Sequence, residues 1–163
     1  MVLDEIDKKI LNTLQKNGKT TNSKLSKIVG ISAPATLERV KRLESAGIIF
    51  HFTIVIDHVK LGYTIMAIIN ISLNLSQLDS VADIKKKFAD LEEIVECYQI
   101  SGENDFILKV ISRDIKTYAE FINNKLTKIK GIQMINSSFV IDTVKEKKVF
   151  LLDLNEEYKL STA

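Results

Sequence analysis

Leu25-Ser26-Lys27-Ile28-Val29-Gly30-Ile31-Ser32-Ala33-Pro34-Ala35-Thr36-Leu37-Glu38-Arg39-Val40-Lys41-Arg42 reads as two helices with a glycine turn between them. The first is short, from about Thr21 to Val29, with Thr21 or Asn22 as its cap, Leu25 and Ile28 facing inward, and Gly30 closing it. A tight turn, Gly30-Ile31-Ser32, leads into a longer helix from Ser32 to Ala46 that Gly47 stops. Pro34, the single proline of the chain, falls in its first turn, where the missing N–H has no intrahelical partner to lose. Two helices joined by a short glycine-containing turn form the helix-turn-helix pattern.

A helical wheel separates the faces of the second helix. Leu37, Val40 and Leu43 gather on one side and are expected to pack inward. Ser32, Ala35, Arg39 and Arg42 recur at i, i+3, i+7 and i+10 on the other. Small residues at the leading end let a helix enter the major groove closely, and arginine is the best bidentate reader of guanine. The competing reading is a solvated face on which Glu38 and Arg42 pair at i, i+4. The glycine turn and the preceding short helix favour the groove.

Working outward, Asp4 caps an earlier helix in which Ile6, Ile10 and Leu14 repeat at i, i+4, i+8. Lys16-Asn17-Gly18 ends it, with Gly18 expected as a left-handed stop. After Gly47 the texture changes. Ile48 to Ile56 is β-branched and aromatic and reads as strand, and Asp57 to Gly62 as turn or hinge. Thr64 to Leu75 is a nearly all-apolar strand, expected to be buried on both faces. A helix over Leu78 to Leu91 follows, with Leu78, Val81, Ile84, Phe88 and Leu91 inward and Lys85-Lys86-Lys87 mostly outward. Ile94 to Ile100 and Phe106 to Ile111 form a hairpin about Ser101-Gly102-Glu103-Asn104. Asp114 caps a helix with Ile115, Tyr118, Phe121, Ile122 and Ile129 inward, and Gly131 opens a last strand over Ile132 to Val144. An apolar strip, Val149 to Leu154, precedes a polar tail. From Thr64 onward the order strand, helix, strand, strand, helix, strand is that of ferredoxin-like folds, so the fold class is α+β.

Composition narrows the function. The 163 residues are 45% apolar and 27% charged, a globular rather than a disordered balance. Residues 1–50 hold nine Lys or Arg against five Asp or Glu, whereas residues 51–163 hold fourteen against sixteen. The basic half suits a polyanion. One cysteine, Cys97, excludes a disulfide framework, and mid-strand it reads as a small buried hydrophobe. No apolar run approaches the ~20 residues that span a bilayer. The N-terminus lacks a basic start and apolar stretch, so the expected compartment is the cytoplasm. His51 and His58 have no metal-ligand spacing, and Glu92, Glu93 and Glu96 could form a carboxylate cluster, but they flank a helix end, which favours solvated carboxylates. No phosphate-cradling loop or nucleophile elbow is present, so no catalytic residue, cofactor or metal is expected. One segment does read as a site. Gly102 permits close backbone approach, exposed N–H groups in a turn can hold a carboxylate, and Asp105 can meet an ammonium group. A plain hairpin turn explains the same residues.

Together these residues resemble the leucine-responsive/asparagine-synthetase regulator (Lrp/AsnC) family over nearly the whole chain. The resemblance is carried by Leu3 to Leu11, by Leu25 to Ser32, and most specifically by Leu37-Glu38-Arg39-Val40-Lys41-Arg42-Leu43-Glu44-Ser45-Ala46-Gly47-Ile48-Ile49. Cys97-Tyr98, Gly102, Asp105-Phe106 and Leu108-Lys109-Val110 extend it into the second half. It implies a transcription regulator with a winged helix-turn-helix domain at 1–50, a linking strand and hinge at 51–63, a ferredoxin-like effector and dimerisation domain at 64–145, and a C-terminal strand and tail at 146–163. By matching position it implies that Ser32, Ala35, Thr36, Arg39 and Arg42 meet DNA, with phosphate contacts from Thr21, Asn22 and Lys41; Arg39 is the candidate base reader. Gly102, Glu103, Asn104 and Asp105, with Ile135, Asn136, Ser137 and Ser138, border an effector pocket for an amino acid or related molecule bound between dimers. Asn104 and Ile135 depart from the family pattern, which commonly has an aromatic and a hydroxyl residue there, and Ser137 keeps a hydroxyl nearby. The implied partners are a pseudopalindromic double-stranded DNA site, the effector, and further copies assembling as dimers and octamers, with no membrane partner. Two other functions share the scaffold: a siroheme-decarboxylase-like enzyme, and a DNA-compacting protein without sequence preference.

Overall fold

The computed structural model describes residues 2–74, 76, 80–146 and 149–158. The strand end expected at Leu75, the helix start at Leu78 and the last five residues of the tail lie outside the described residues. Contacts divide the chain into one unit of residues 1–55 with 145–163, and a second of residues 56–144.

The first unit holds α1 (Glu5–Lys16), α2 (Asn22–Val29) and α3 (Ala33–Ser45). Asp4 caps α1 by accepting the Asp7 N–H at 2.8 Å, while the Asp7 carboxylate reaches back to the Asp4 N–H, a reciprocal capping box. Gly18 is not a left-handed stop, because no positive φ occurs there. Instead Asn17 leaves the helix in an extended conformation, and its side chain accepts the Lys19 N–H at 3.0 Å. Gly30 at φ 76° and Gly47 at φ 70° do adopt the left-handed region that ends α2 and follows α3. Leu3, Ile10, Leu11, Leu25, Val29, Val40 and Leu43 are the core. Two sequence-based placements change. Ile28 is half exposed, with Leu25, Ser26 and Val29 forming the inward stripe of α2. On α3 the buried positions are Thr36, Val40 and Leu43, and Leu37 turns outward. Thr36 tolerates burial because its hydroxyl donates to the Ser32 carbonyl one turn back at 2.9 Å.

The expected strand over 48–56 and the linking strand within 51–63 carry no strand pairing. A strand needs a ladder partner for its N–H and C=O groups, and no described residue supplies one; Phe50, Phe52, Ile54 and Val55 are exposed. The C-terminal segment likewise forms no strand among its described residues. It runs along α1, whose side chains bind its backbone. Asn12 Nδ2 donates to the Leu152 carbonyl and Asn12 Oδ1 accepts the Leu152 N–H, both at 2.8 Å. Gln15 does the same with Phe150 at 2.7 and 2.8 Å. Buried Lys8 donates to the carbonyls of Leu154, at 2.9 Å, and Glu156. Positions 8, 12 and 15 rise ~6 and ~4.5 Å along the helix, close enough to the ~6.6 Å two-residue step of extended chain for the register to persist.

The second unit is a four-stranded antiparallel sheet of β1 (Ile65–Leu73), β2 (Ile94–Gln99), β3 (Phe106–Ser112) and β4 (Ile132–Phe139), in the order β2-β3-β1-β4. With α4 (Val81–Ala89) and α5 (Ile115–Asn124) this is the ferredoxin-like order. β1 is buried on one face only: Ala67, Ile69, Ile71 and Leu73 meet the helices, and Ile68, Asn70 and Ser72 point the other way. Phe88 of α4 packs edge-on against Phe106 of β3, ring centroids 5.3 Å apart, beside Ile84, Tyr118 and Phe121. Ile115 is exposed rather than inward, Ile129 follows α5 after a 3-10 turn, and β4 ends at Phe139 rather than Val144. Cys97 is exposed, because β2 is an edge strand.

Candidate nucleic-acid interface and effector region

Opposite the buried stripe of α3 lie Pro34, Glu38 and Lys41, all exposed, flanked by Ala35 and Arg42 on one side and Leu37 on the other. Ser32 caps the helix by accepting the Ala35 N–H at 3.3 Å and remains exposed, so its hydroxyl hydrogen can still be donated outward. Thr21 caps α2 by accepting the Lys24 N–H at 3.3 Å, and Asn22 beside it is exposed. Their helix start presents N–H groups of the kind that bind phosphate. Thr36 does not belong to this face; its complete burial removes it from the expected DNA contacts.

The two arginines have partners that spacing within α3 does not predict. Arg39 Nη1 donates to Asp4 Oδ2 at 2.6 Å and to Asp7 Oδ1 at 2.9 Å. Arg42 Nη2 donates to both oxygens of Asp7, at 2.8 and 2.7 Å, instead of pairing with Glu38. The Arg39 side chain is only 25% exposed, against 48% for Arg42, so Arg42 is the better placed to reach a base. The hydrogen bond to Asp4 outweighs burial and holds the Arg39 guanidinium above its already high pKa. Ala35, Glu38, Arg39 and Arg42 line an open surface cleft of about 360 Å³. Asp4 and Asp7, on α1, are thus partners of this surface that the helical wheel of α3 does not reveal. The capping box accounts for both carboxylates within α1, so nothing local to them points to α3.

In the second unit the turn at Gly102 to Asp105 is fastened to β1. Gly102 has φ 131°, and a Cβ there meets nothing within 4 Å, so backbone conformation rather than crowding favours glycine. Ser72 Oγ donates to the Asn104 side-chain oxygen at 3.1 Å and to the Glu103 carbonyl at 3.4 Å. Asp105 Oδ2 accepts the Leu73 N–H at 2.7 Å, and the Asp105 N–H donates to the Ile71 carbonyl at 2.8 Å. Asp105 therefore fastens the end of β1 with one oxygen of the carboxylate expected to meet an ammonium group. The other expected pocket residues lie across β1 from this turn, Ile135 opposite Ile71 and Ser138 opposite Ile68. They divide between faces. Ile135 and Ser137 share the helix face, where Tyr118 donates to Ser137 Oγ at 2.5 Å; Asn136 and Ser138 lie on the opposite face with Asn70. Burial pushes the Tyr118 phenol pKa up, against the pull of the Ser137 bond.

Partial desolvation raises the pKa of the Cys97 thiol, exposed though the residue is, the reverse of what an activated thiolate needs. Glu93 pairs with Lys125 at 2.5 Å and Glu96 with Lys109 at 3.3 Å, so these carboxylates form two ion pairs rather than a cluster. Among the described residues no group of three His, Cys, Asp or Glu is arranged to hold a metal, and no helix is long and apolar enough to cross a membrane.

Comparison with known proteins places these features in context. Residues 3–49 match the model of a winged helix-turn-helix DNA-binding domain, and residues 66–150 that of the Lrp/AsnC ligand binding domain. The transcriptional regulator AzlB of Bacillus subtilis is 37% identical over 159 residues, covering 96% of this chain and 98% of its own. The leucine-responsive regulatory protein of Escherichia coli is 35% identical over 144 residues, covering 88% of each chain. Among solved structures, a Neisseria meningitidis transcriptional regulator in complex with L-Met superposes with a TM-score of 0.86 at 31% identity, over 94% of this chain and 97% of that one. A feast or famine regulatory protein from M. tuberculosis complexed with L-methionine gives 0.83 at 26%, over 92% and 99%.

Proposed function

The chain belongs to the Lrp/AsnC family of transcriptional regulators, and from that premise we propose that it reads a specific DNA site through α3 and answers to an amino acid. The observation that carries the reading is the match of residues 3–49 to a DNA-binding winged helix-turn-helix, together with the exposed polar face of α3 within it. Arg42 suits guanine, Glu38 suits the amino group of cytosine, and the small Ser32 and Ala35 allow close entry. Lys41 and the α2 start at Thr21 and Asn22 serve the phosphates. Arg39, held by two carboxylates, supports the helix more than it reads.

The regulator acts in the cytoplasm as a dimer able to assemble further. Two-fold symmetry sets its recognition helices ~34 Å, or a multiple, apart on a pseudopalindromic site. The proposed effector is an amino acid, the class of ligand carried by the two relatives solved with methionine, and its proposed site is the second unit, with Gly102 to Asp105 and Ile135 to Ser138 as the candidate border. It acts only through a difference in affinity between two assembly or DNA-bound states. The relatives are transcriptional regulators, and no observation favours catalysis by this chain.

Selection of bound duplexes from a random pool, followed by sequencing, tests the DNA reading. The expected product is a pseudopalindrome with helical-turn spacing; binding without enrichment defeats specificity and favours a compacting role. Titrating leucine and methionine against the selected duplex, with assembly state measured alongside, tests the effector.

A further inference from the structure

The guanidinium groups beside the exposed face of α3 are not loose charges. Asp7, at the third position of α1, has a side chain only 1% exposed. Its two oxygens accept one hydrogen bond from Arg39 and two from Arg42, while Asp4 accepts another from Arg39. Two cations and two anions cancel within this cluster, so the arginines add little to a general attraction for phosphate. What the cluster keeps is direction. A free arginine samples many rotamers and meets any acceptor; one tied by a terminal nitrogen presents the rest of its planar fork in a fixed orientation. Arg42 is tied through Nη2 alone, is half exposed, and borders the cleft with Ala35 and Glu38.

We propose that Asp7 is a positioning residue for DNA recognition: its buried carboxylate fixes the Arg42 guanidinium at the reading face, so that the first unit, the helical head of the molecule, discriminates by an oriented fork rather than by charge. This rests on the reading of α3 as the DNA-reading helix. An alternative, purely structural role for Asp7 predicts a different outcome, namely equal weakening on all DNA.

The test uses the full chain, the duplex recovered by selection, and an unrelated duplex of the same length. Asp7→Asn keeps the shape and removes the charge. The selected-to-unrelated affinity ratio is expected to fall about tenfold, the loss of one well-placed bidentate contact. Affinity for the unrelated duplex is expected to hold or rise, and the salt dependence to steepen by about one ion, because Arg42 becomes available to phosphate while Arg39 stays on Asp4. Arg42→Ala lowers the ratio similarly, and adding Asp7→Asn to it lowers the ratio no further. Asp4→Asn, which keeps a good N-cap and leaves Arg42 on Asp7, leaves the ratio unchanged. Equal loss on both duplexes with Asp7→Asn assigns Asp7 to folding and overturns the proposal. An unchanged ratio with Asp7→Asn, while Arg42→Ala lowers it, also overturns the proposal but leaves the α3 reading standing. An unchanged ratio with Arg42→Ala removes both. Should Asp7→Asn not fold, Arg42→Lys decides: it keeps charge without the fork, so the ratio falls while unrelated affinity holds, and an unchanged ratio overturns the proposal.

Discussion

Arg39 Nη1 lies 2.6 Å from Asp4 Oδ2 and so ties the third helix to the N-cap of the first. Asp4 meanwhile accepts the Asp7 N–H, and Arg39 also helps to cover the buried Asp7 carboxylate. Removing Arg39 leaves that carboxylate with Arg42 as its one cation. Arg39→Ala is expected to destabilise the head by about 1.5–3 kcal/mol, the range for hydrogen bonds to charged groups, while leaving base preference intact. Thermal unfolding beside the selected-duplex assay checks both; an unaltered melting curve with altered base preference would return Arg39 to the reading face.

Acid should weaken the same corner. Burial pulls the Asp4 carboxyl pKa upward, but the Asp7 N–H and the Arg39 guanidinium outweigh it and hold the group below its ordinary value of 3.8. The unfolded chain therefore takes up this proton first. The stabilisation is fully present above pH 3.8 and is lost as the pH falls through the lower, folded value. The unfolding midpoint of the head is expected to drop below about pH 4, and Asp4→Asn to flatten that drop. An identical acid slope in the variant assigns it to other groups.

Asn12 bonds both the N–H and the C=O of Leu152, so no other side chain replaces it simply. Asn12→Ala strips two backbone groups of their partners, at a cost of about 1–3 kcal/mol. Hydrogen exchange at Leu152 is expected to rise more than at the α1 amides. Protection that survives at Leu152 means that other contacts hold the segment.

Phe88 is 1% exposed and meets Phe106 edge-on. Phe88→Ala is expected to cost about 3–5 kcal/mol, measured by denaturant unfolding of the second unit. A loss under about 1 kcal/mol would mean that the site collapses to fill the space.

Asp105→Ala leaves the Leu73 N–H without its carboxylate acceptor. Faster exchange at Leu73 and a loss of about 1–3 kcal/mol are expected. Asp105→Asn keeps an oxygen for this bond and should recover most of the stability, which separates the structural role from any contact with an effector ammonium group.

Features written in local grammar were legible in the sequence. Asp4, Pro34, Gly30 and Gly47 mark helix ends by rules acting within one turn, and the apolar run Phe106 to Ile111 marks a strand. The arginine clamp was hidden because Asp7 and Arg42 are 35 residues apart and each already had a sufficient local explanation. Thr36 and Leu37 both fit the apolar arc of α3, and an internal hydroxyl bond decides which is buried. The docking of the tail was less visible still. Asn12 and Gln15 lie off the apolar repeat of α1, and the groups they bind are backbone atoms, which no side-chain pattern reports.

That docking has a consequence for how the molecule is made. The three helices of the head leave the ribosome first, but the segment from Phe150 to Glu156 that lies along α1 is synthesised more than a hundred residues later. Nascent heads therefore wait with one flank of α1 uncovered while the sheet of the second unit is still being translated, an interval in which chaperones can bind. For the same reason a polypeptide of residues 1–55 is an incomplete head. Fusing residues 145–158 to it through a flexible linker supplies the missing half of the contact.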